Sequence, residues 1–403
     1  MGRLISGRRI TVAGWDGSPV TPHVRARLDA AVLVMGGRRH LREVELPEGT
    51  RRLALRDDPA AALDAVVGAD GPVVVLASGD PGFFGIVRLL RERVAEDELE
   101  VLPAVSSVAL AFARVGLSWD DAVVVSAHGR ETGPGRAAAV CRAHPKVAVL
   151  TDSTVGPAEV AAALQGVERR VVVAERLGLP DERVVELDPA QTAGPWVQPN
   201  VVLVLDAARQ VAPEKGWLAG REQPAGWALP ETAFAHRDGM LTKYEVRALA
   251  LARLGPRLGD LVWDIGAGSG SVGVECARLG AAVVAVERGP LDHLHANARA
   301  HGGDLQVVQG SAPAALAGLP DPDAVFVGGG GADVADIVRA CVARRPRVVV
   351  VALATVDRVA EVRDALAPYE VDGVQLASSR LRPLGEGTAL AATNPVFLLW
   401  GNP

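Results

Sequence analysis

Leu261-Val262-Trp263-Asp264-Ile265-Gly266-Ala267-Gly268-Ser269-Gly270 is an apolar run that breaks into alternating glycines and leads into a helical segment. Five residues of this kind have the length and side chains of a buried strand. Glycines after it let the backbone turn and approach a ligand closely, and a helix N-terminus beyond them can hold a carboxylate or phosphate. The dinucleotide-binding fingerprint needs glycines at positions one, three and six. Counted from Gly266, the sixth position is Ser271, so the strict template fails.

Outward from this loop the alternation of strand and helix covers the chain, which is the α/β signature. A helix at about 242–254 precedes the loop, and further strands fall near 282–287, 305–308, 323–327 and 347–352. After a helix at about 356–367, two strands near 371–379 and 394–400 come in succession, which predicts an antiparallel hairpin at one edge of a seven-stranded, mostly parallel sheet. Upstream, strands are expected near 10–14, 72–77, 99–102, 122–126, 146–151, 170–175 and 200–205. Residues 206–238 carry Pro213, Gly216, Gly220, Pro224, Gly226 and Pro230, the composition of a connector. The expected division is 1–208, a linker at 209–238, and 239–403, two different folds because no internal repeat links them.

At 403 residues the chain is long enough for two or three domains. Its formal charge of −6 gives no field that would draw nucleic acid or an anionic membrane. Apolar stretches such as Val348–Ala354 are far shorter than the roughly 20 residues that span a bilayer. Arg3, Arg8 and Arg9 run straight into a strand without the apolar core of a signal peptide. A cytoplasmic protein is expected, with no membrane or nucleic-acid partner. Cys141, Cys276 and Cys341 are too scattered for a metal knuckle or a disulfide framework, so no metal is expected.

Several segments carry the chemistry. The strand 282–287 ends in Glu287, at the position where dinucleotide-binding folds place a carboxylate for the ribose hydroxyls. Thr242 and Glu245 have capping-box spacing. Val325-Phe326-Val327 runs into four glycines, Gly328 to Gly331, a loop that suits a wall close to substrate. In the first half, Ser78-Gly79-Asp80-Pro81-Gly82-Phe83-Phe84 is a turn after an apolar strand. Ser106 or Ser107 is placed to cap the next helix. His128, at a strand end, reads as a local hydrogen-bonding residue rather than a catalyst.

The G-x-G-x-G loop preceded by Asp264 resembles the first motif of class I S-adenosylmethionine-dependent methyltransferases. The resemblance implies a donor site formed by Gly266, Ala267, Gly268, Ser269, Gly270 and Glu287, bordered by Thr242, with Ser311 and Ala312 at the adenine. Ser311 stands where Asp is common, keeping a hydroxyl without the charge. The first half resembles the tetrapyrrole methylase (class III methyltransferase) fold of two α/β subdomains. That likeness implies a second donor pocket at Gly79, Asp80, Pro81, Phe84, Ser106 and Ser107, although Trp15 occupies a place where the family has a small residue.

The two folds in series, with Gly36-Gly37-Arg38-Arg39-His40-Leu41, Ser126-Ala127-His128-Gly129-Arg130 and the Thr242-to-Arg247 segment, resemble the bifunctional, decarboxylating precorrin-6Y C(5,15)-methyltransferases of cobalamin biosynthesis. The family implies methylation of carbon 5 by the N-terminal domain. It implies methylation of carbon 15, with loss of carbon dioxide from the carbon 12 acetate, by the C-terminal one. One S-adenosylmethionine per domain, a precorrin substrate and a homo-oligomer follow from it. A substrate rich in carboxylates calls for cations in the clefts: Arg38, Arg39, Arg130, Lys243, Arg247, Arg380 and Arg382, the last two first because they leave a late strand for a loop at 385–387. The alternatives are a nicotinamide-dependent oxidoreductase, disfavoured by Ser271, and a tetrapyrrole carrier or single-site methyltransferase with one inactive half.

Overall fold

A computed structural model describes residues 9–55, 59–127, 133–187, 194–209, 219, 226–237 and 241–403. The chain divides into two compact units. The first comprises Met1–Trp119, Ala148–Pro157 and Arg170–Leu203, and the second Asp120–Val147, Ala158–Arg169 and Val204–Pro403.

The first unit is built on β1 (Ile10–Trp15), β2 (Leu33–Gly36), β3 (Arg51–Ala54), β4 (Val73–Ser78) and β5 (Leu99–Leu102), in the order β3-β2-β4-β1-β5. All neighbours are parallel. Because successive side chains alternate between faces, Ile10, Val12, Val73 and Val75 enter one core while Ala13, Val74 and Leu76 enter another. Both faces are covered at the centre of the sheet, which is why β1 and β4 read as apolar runs. β2 and β3 were not anticipated; β3 opens on the exposed Arg51 and Arg52 and so lacks an apolar run.

A second five-stranded sheet has the order β6-β7-β10-β8-β9, from β6 (Val123–Ser126), β7 (Lys146–Leu150), β8 (Arg170–Glu175), β9 (Arg183–Leu187) and β10 (Asn200–Leu205). β9 runs antiparallel to β8 and also escaped the sequence reading, because its side chains are largely exposed.

The second unit holds a seven-stranded mixed sheet of β11 (Leu261–Ile265), β12 (Ala282–Glu287), β13 (Leu305–Gln309), β14 (Ala324–Val327), β15 (Val348–Leu353), β16 (Glu370–Leu376) and β19 (Val396–Asn402), ordered β13-β12-β11-β14-β15-β19-β16. β13 to β15 are mutually parallel through β11, and β19 lies antiparallel between β15 and β16. The expected edge pair is therefore present, but it is not a hairpin. The residues between its strands form a separate ribbon, β17 (Ser379–Leu384) with β18 (Gly387–Ala392), where a loop was expected. Strand order reverses at β11, so a crevice opens at the carboxyl ends of β11 and β14. Among the described residues no helix is long and apolar enough to cross a membrane.

Candidate active sites

β11 delivers the glycine loop to that crevice. Gly266 donates its N–H to the Val286 carbonyl at 2.9 Å and adopts φ +69°; a Cβ there would lie 2.8 Å from the Gly329 nitrogen. The glycines after β14 thus let a second loop pass backbone-on-backbone against the first. Beneath it, Asp264 is 1% exposed, and its Oδ2 accepts the Gly273 N–H at 2.8 Å. Burial pushes this carboxyl up to about 7, against the opposing pull of the Gly273 N–H.

Glu287 ends β12. Its Oε2 accepts from the Gly268 N–H at 2.8 Å and its Oε1 from the Gly289 N–H at 2.6 Å. The carboxylate is fixed by backbone donors and retains lone pairs for a ligand's hydroxyls. Around it lies a cavity of about 680 Å³ whose walls include Gly266, Gly268, Ser269, Glu287, Ser311 and Ala312. That volume is within the ~300–1,000 Å³ usual for small-molecule sites. Ala267, Gly270 and Thr242 are not on its walls. Gly270 instead opens the helix Ser271–Arg278 in a left-handed conformation.

Asn297 was missed. It is 2% exposed, donates to the carbonyls of Ser269 and Ala235 at 2.8 Å each, and accepts the Ala235 N–H at 2.7 Å. It ties the glycine loop to the chain ahead of the helix Tyr244–Leu254, a role that a mid-helix asparagine does not announce in sequence.

The cations depart most from expectation. Arg247 is fully buried, not in a cleft: it donates to the carbonyls of Thr242 (2.7 Å) and Leu229, pairs with Glu275 at 3.5 Å and covers the Phe234 ring at 4.8 Å. Its helix turns it inward with Val246, Ala250 and Leu251. The capping box is not formed either, because the helix begins at Tyr244 and Glu231 receives the Tyr244 N–H at 3.3 Å. Glu245 turns to Arg380, whose Nη2 reaches it at 3.0 Å and Glu231 at 2.7 Å, while Lys243 meets Glu231 at 3.4 Å. Arg380 and Lys243 are thus neutralised by carboxylates, and Arg382 lies on the exposed ribbon. The cavity wall carries Arg237, Arg288, His293 and Asp333 instead. Arg130 and His128 lie outside the described residues. Burial pushes the Cys141 and Cys341 thiols up to about 12, far from a reactive thiolate.

In the first unit the ends of β1 and β4 and the segment after β5 meet. A Cβ on Gly14 would lie 2.1 Å from the Gly79 carbonyl oxygen and 2.6 Å from the Ala104 nitrogen, and Gly79 has φ +59°. Ser106 caps the helix Ser107–Val115 through the Ala109 N–H at 3.1 Å. Asp80 folds its own turn by accepting from Gly82 at 2.8 Å. The cavity here is about 70 Å³, with Trp15, Asp16, Arg39, Ser78, Gly79 and Ser107 on its walls. Asp80, Pro81, Phe84 and Ser106 are not on them, and Phe84 is 49% exposed beside Phe83. Trp15 is 8% exposed, donates from Nε1 to the Ser18 carbonyl at 2.8 Å and meets His40 edge-on at 5.8 Å. Burial, reinforced by Arg39, pushes His40 down to about 4, so it is neutral at pH 7.

Two family models match the chain: one described as a precorrin methyltransferase domain, over residues 232–401, and one described as tetrapyrrole (corrin/porphyrin) methylases, over residues 15–192. A precorrin-6Y C(5,15)-methyltransferase [decarboxylating] of Sinorhizobium sp is 40% identical over 315 residues, covering 75% of this chain and 73% of its own. A protein of the same name from Mycobacterium tuberculosis is 34% identical over 334 residues, 79% of each chain. A cobalt-precorrin-7 C(5)-methyltransferase of Salmonella typhimurium is 33% identical over 193 residues, 46% of this chain and 92% of its own.

Proposed function

Since the chain belongs to the precorrin-6Y C(5,15)-methyltransferase (decarboxylating) family, we propose that it divides that chemistry between residues 1–208 and 239–403, joined by a linker at 209–238. The protein is a decarboxylating C-methyltransferase of cobalamin biosynthesis. In the proposed division residues 1–208 methylate carbon 5. Residues 239–403 methylate carbon 15 and release carbon dioxide from the carbon 12 acetate, giving precorrin-8X. One donor per domain, a homo-oligomer and a cytoplasmic location complete the reading.

The observation that carries it is the 680 Å³ cavity with the Glu287 carboxylate clamped at its wall. This cradle suits a nucleoside: Glu287 accepts ribose hydroxyls, and Ser311 and Ala312 border the base. S-adenosylmethionine, when bound, supplies a methyl group on a sulfonium leaving group. The chain's contribution is position, since aligning two reactants can supply several kcal/mol, of a ceiling near 7–11. Arg237 and Arg288 on the wall attract the acetate, and Asp292, His293 and Asp333 are acid–base side chains on the same wall. The first unit's cavity of about 70 Å³ is too small for a whole donor and supports the carbon 5 assignment only through the residues that line it.

The test is a mass spectrum of precorrin-6Y after incubation with the purified chain and S-adenosylmethionine. Two added methyl groups with loss of carbon dioxide are expected; an unchanged mass refutes the reading. The first cavity, too small for a whole donor, favours one second reading, a single-site methyltransferase whose first half is inactive. A stoichiometry of one S-adenosylhomocysteine per chain, rather than two, selects it.

A further inference from the structure

Arg39 differs from Lys243, Arg247 and Arg380 of the second unit, each of which meets a carboxylate. It lies in the short helix Arg38–Glu43 that follows β2 and forms part of the first unit's cavity wall with Trp15, Ser78 and Gly79. Its Nη2 donates to Ser78 Oγ at 3.1 Å and stands 3.4 Å from His40 Nε2, and its Cζ lies 5.4 Å from the Trp15 ring centre. Nε and Nη1 make no hydrogen bond among the described residues, and no carboxylate among them lies within ion-pair distance. Asp16, on the same wall, is turned to the Ser18 N–H at 3.1 Å. Burial lowers the Arg39 pKa, Arg176 adds to this and Glu43 opposes it. A half-buried cation without a counter-ion is costly unless an anion arrives, and the planar guanidinium fork matches a carboxylate. Ser78 Oγ also lies 3.1 Å from His40 Nε2, so the hydroxyl that steadies Arg39 is itself held.

We infer that Arg39, seated on Trp15 and Ser78, receives a carboxylate group that enters the first unit's cavity. About 70 Å³ suits one carboxylate arm and not a macrocycle. Trp15, where a small residue was expected, is then the platform under the guanidinium. The inference rests on the reading that the first unit serves carbon 5. Two molecules of that reaction bring a carboxylate: the macrocycle, through an acetate or propionate arm, and the methyl donor, through its amino-acid end.

The experiment compares the full chain with Arg39→Ala and Arg39→Lys. S-adenosylhomocysteine binding is measured by calorimetry, and carbon 5 methylation is measured against precorrin-6Y concentration. Arg39→Ala should weaken one of the two on the order of 10- to 100-fold, the loss of a charge-assisted hydrogen bond. Carbon 15 methylation, decarboxylation and melting temperature should be unchanged, and Arg39→Lys should recover part of the loss. A raised KM for the macrocycle with an unchanged isotherm assigns the group to the macrocycle; a weakened isotherm assigns it to the donor. Both unchanged in Arg39→Ala overturns the inference, as does equal loss in both variants with a lowered melting temperature, which marks a structural role. If the wild-type chain adds no methyl at carbon 5, it is the functional reading that fails, and the isotherm still decides Arg39.

Discussion

The loop at Gly266–Gly270 and the junction of Gly14 with Gly79 solve the same problem in two units: both bring backbone against backbone at the carboxyl ends of parallel strands. Around the first there is a cavity of about 680 Å³, around the second one of about 70 Å³. The difference lies in side chains. Beside Gly266 the neighbouring loop is itself glycine, and the fixed carboxylate of Glu287 stands at the wall without filling it. Beside Gly14 the next residue is Trp15, packed on His40 and Arg39. Close backbone approach therefore accompanies the candidate site in both units, while the bulk beside it sets the size of the cavity.

The largest expected effects come from the glycines themselves. Gly266→Ala, with its Cβ 2.8 Å from Gly329, should abolish methylation at carbon 15 and spare carbon 5. Gly14→Ala, with a Cβ 2.1 Å from Gly79, should do the reverse. Mass spectra of the products check both, and loss of both methyl groups from either change would break the independence of the sites. Next, Arg247→Ala leaves Glu275 buried with Arg278 as its remaining cation. Denaturant unfolding should show about 3 kcal/mol less stability, an effect with no counterpart at the exposed Arg382. Glu287→Ala should weaken S-adenosylhomocysteine about 10-fold or more at the second unit's site alone, by loss of hydrogen bonds to a charged group; an unchanged isotherm would remove Glu287 from the site.

The smallest effects concern pH and have opposite signs in the two units. His40 is depressed from 6.5 to about 4, so its contribution to stability is present above pH 6.5 and is lost as pH falls towards 4. Asp264 is raised from 3.8 to about 7, so its contribution is complete below pH 3.8 and is lost as pH rises towards 7. Acidification should weaken the first unit and strengthen the second, as read by hydrogen exchange in each. His40→Gln and Asp264→Asn should each flatten the corresponding slope.

Much of the second site was legible because its signals are local. Strand, glycines and the terminal carboxylate lie within 27 residues, Leu261 to Glu287, and glycine's tolerance of positive φ applies wherever the chain runs. The ribbon β17–β18 and the strands β3 and β9 were less legible, since their side chains are largely exposed and leave no apolar pattern to read. Asn297 was invisible because its partners, Ala235 and Ser269, are 62 and 28 residues away.

By itself the sequence determined the α/β class, the place of the glycine loop and the carboxylate that faces it, because apolar periodicity and backbone sterics act between neighbours. Only the tertiary structure decided which cations serve which site. Arg380 is neutralised by Glu231, 149 residues away, Arg247 is buried on Glu275, and Arg39 alone of these three has no carboxylate within ion-pair distance among the described residues. A guanidinium's role is set by whichever charges folding brings within a few ångströms, and no spacing along the chain encodes that.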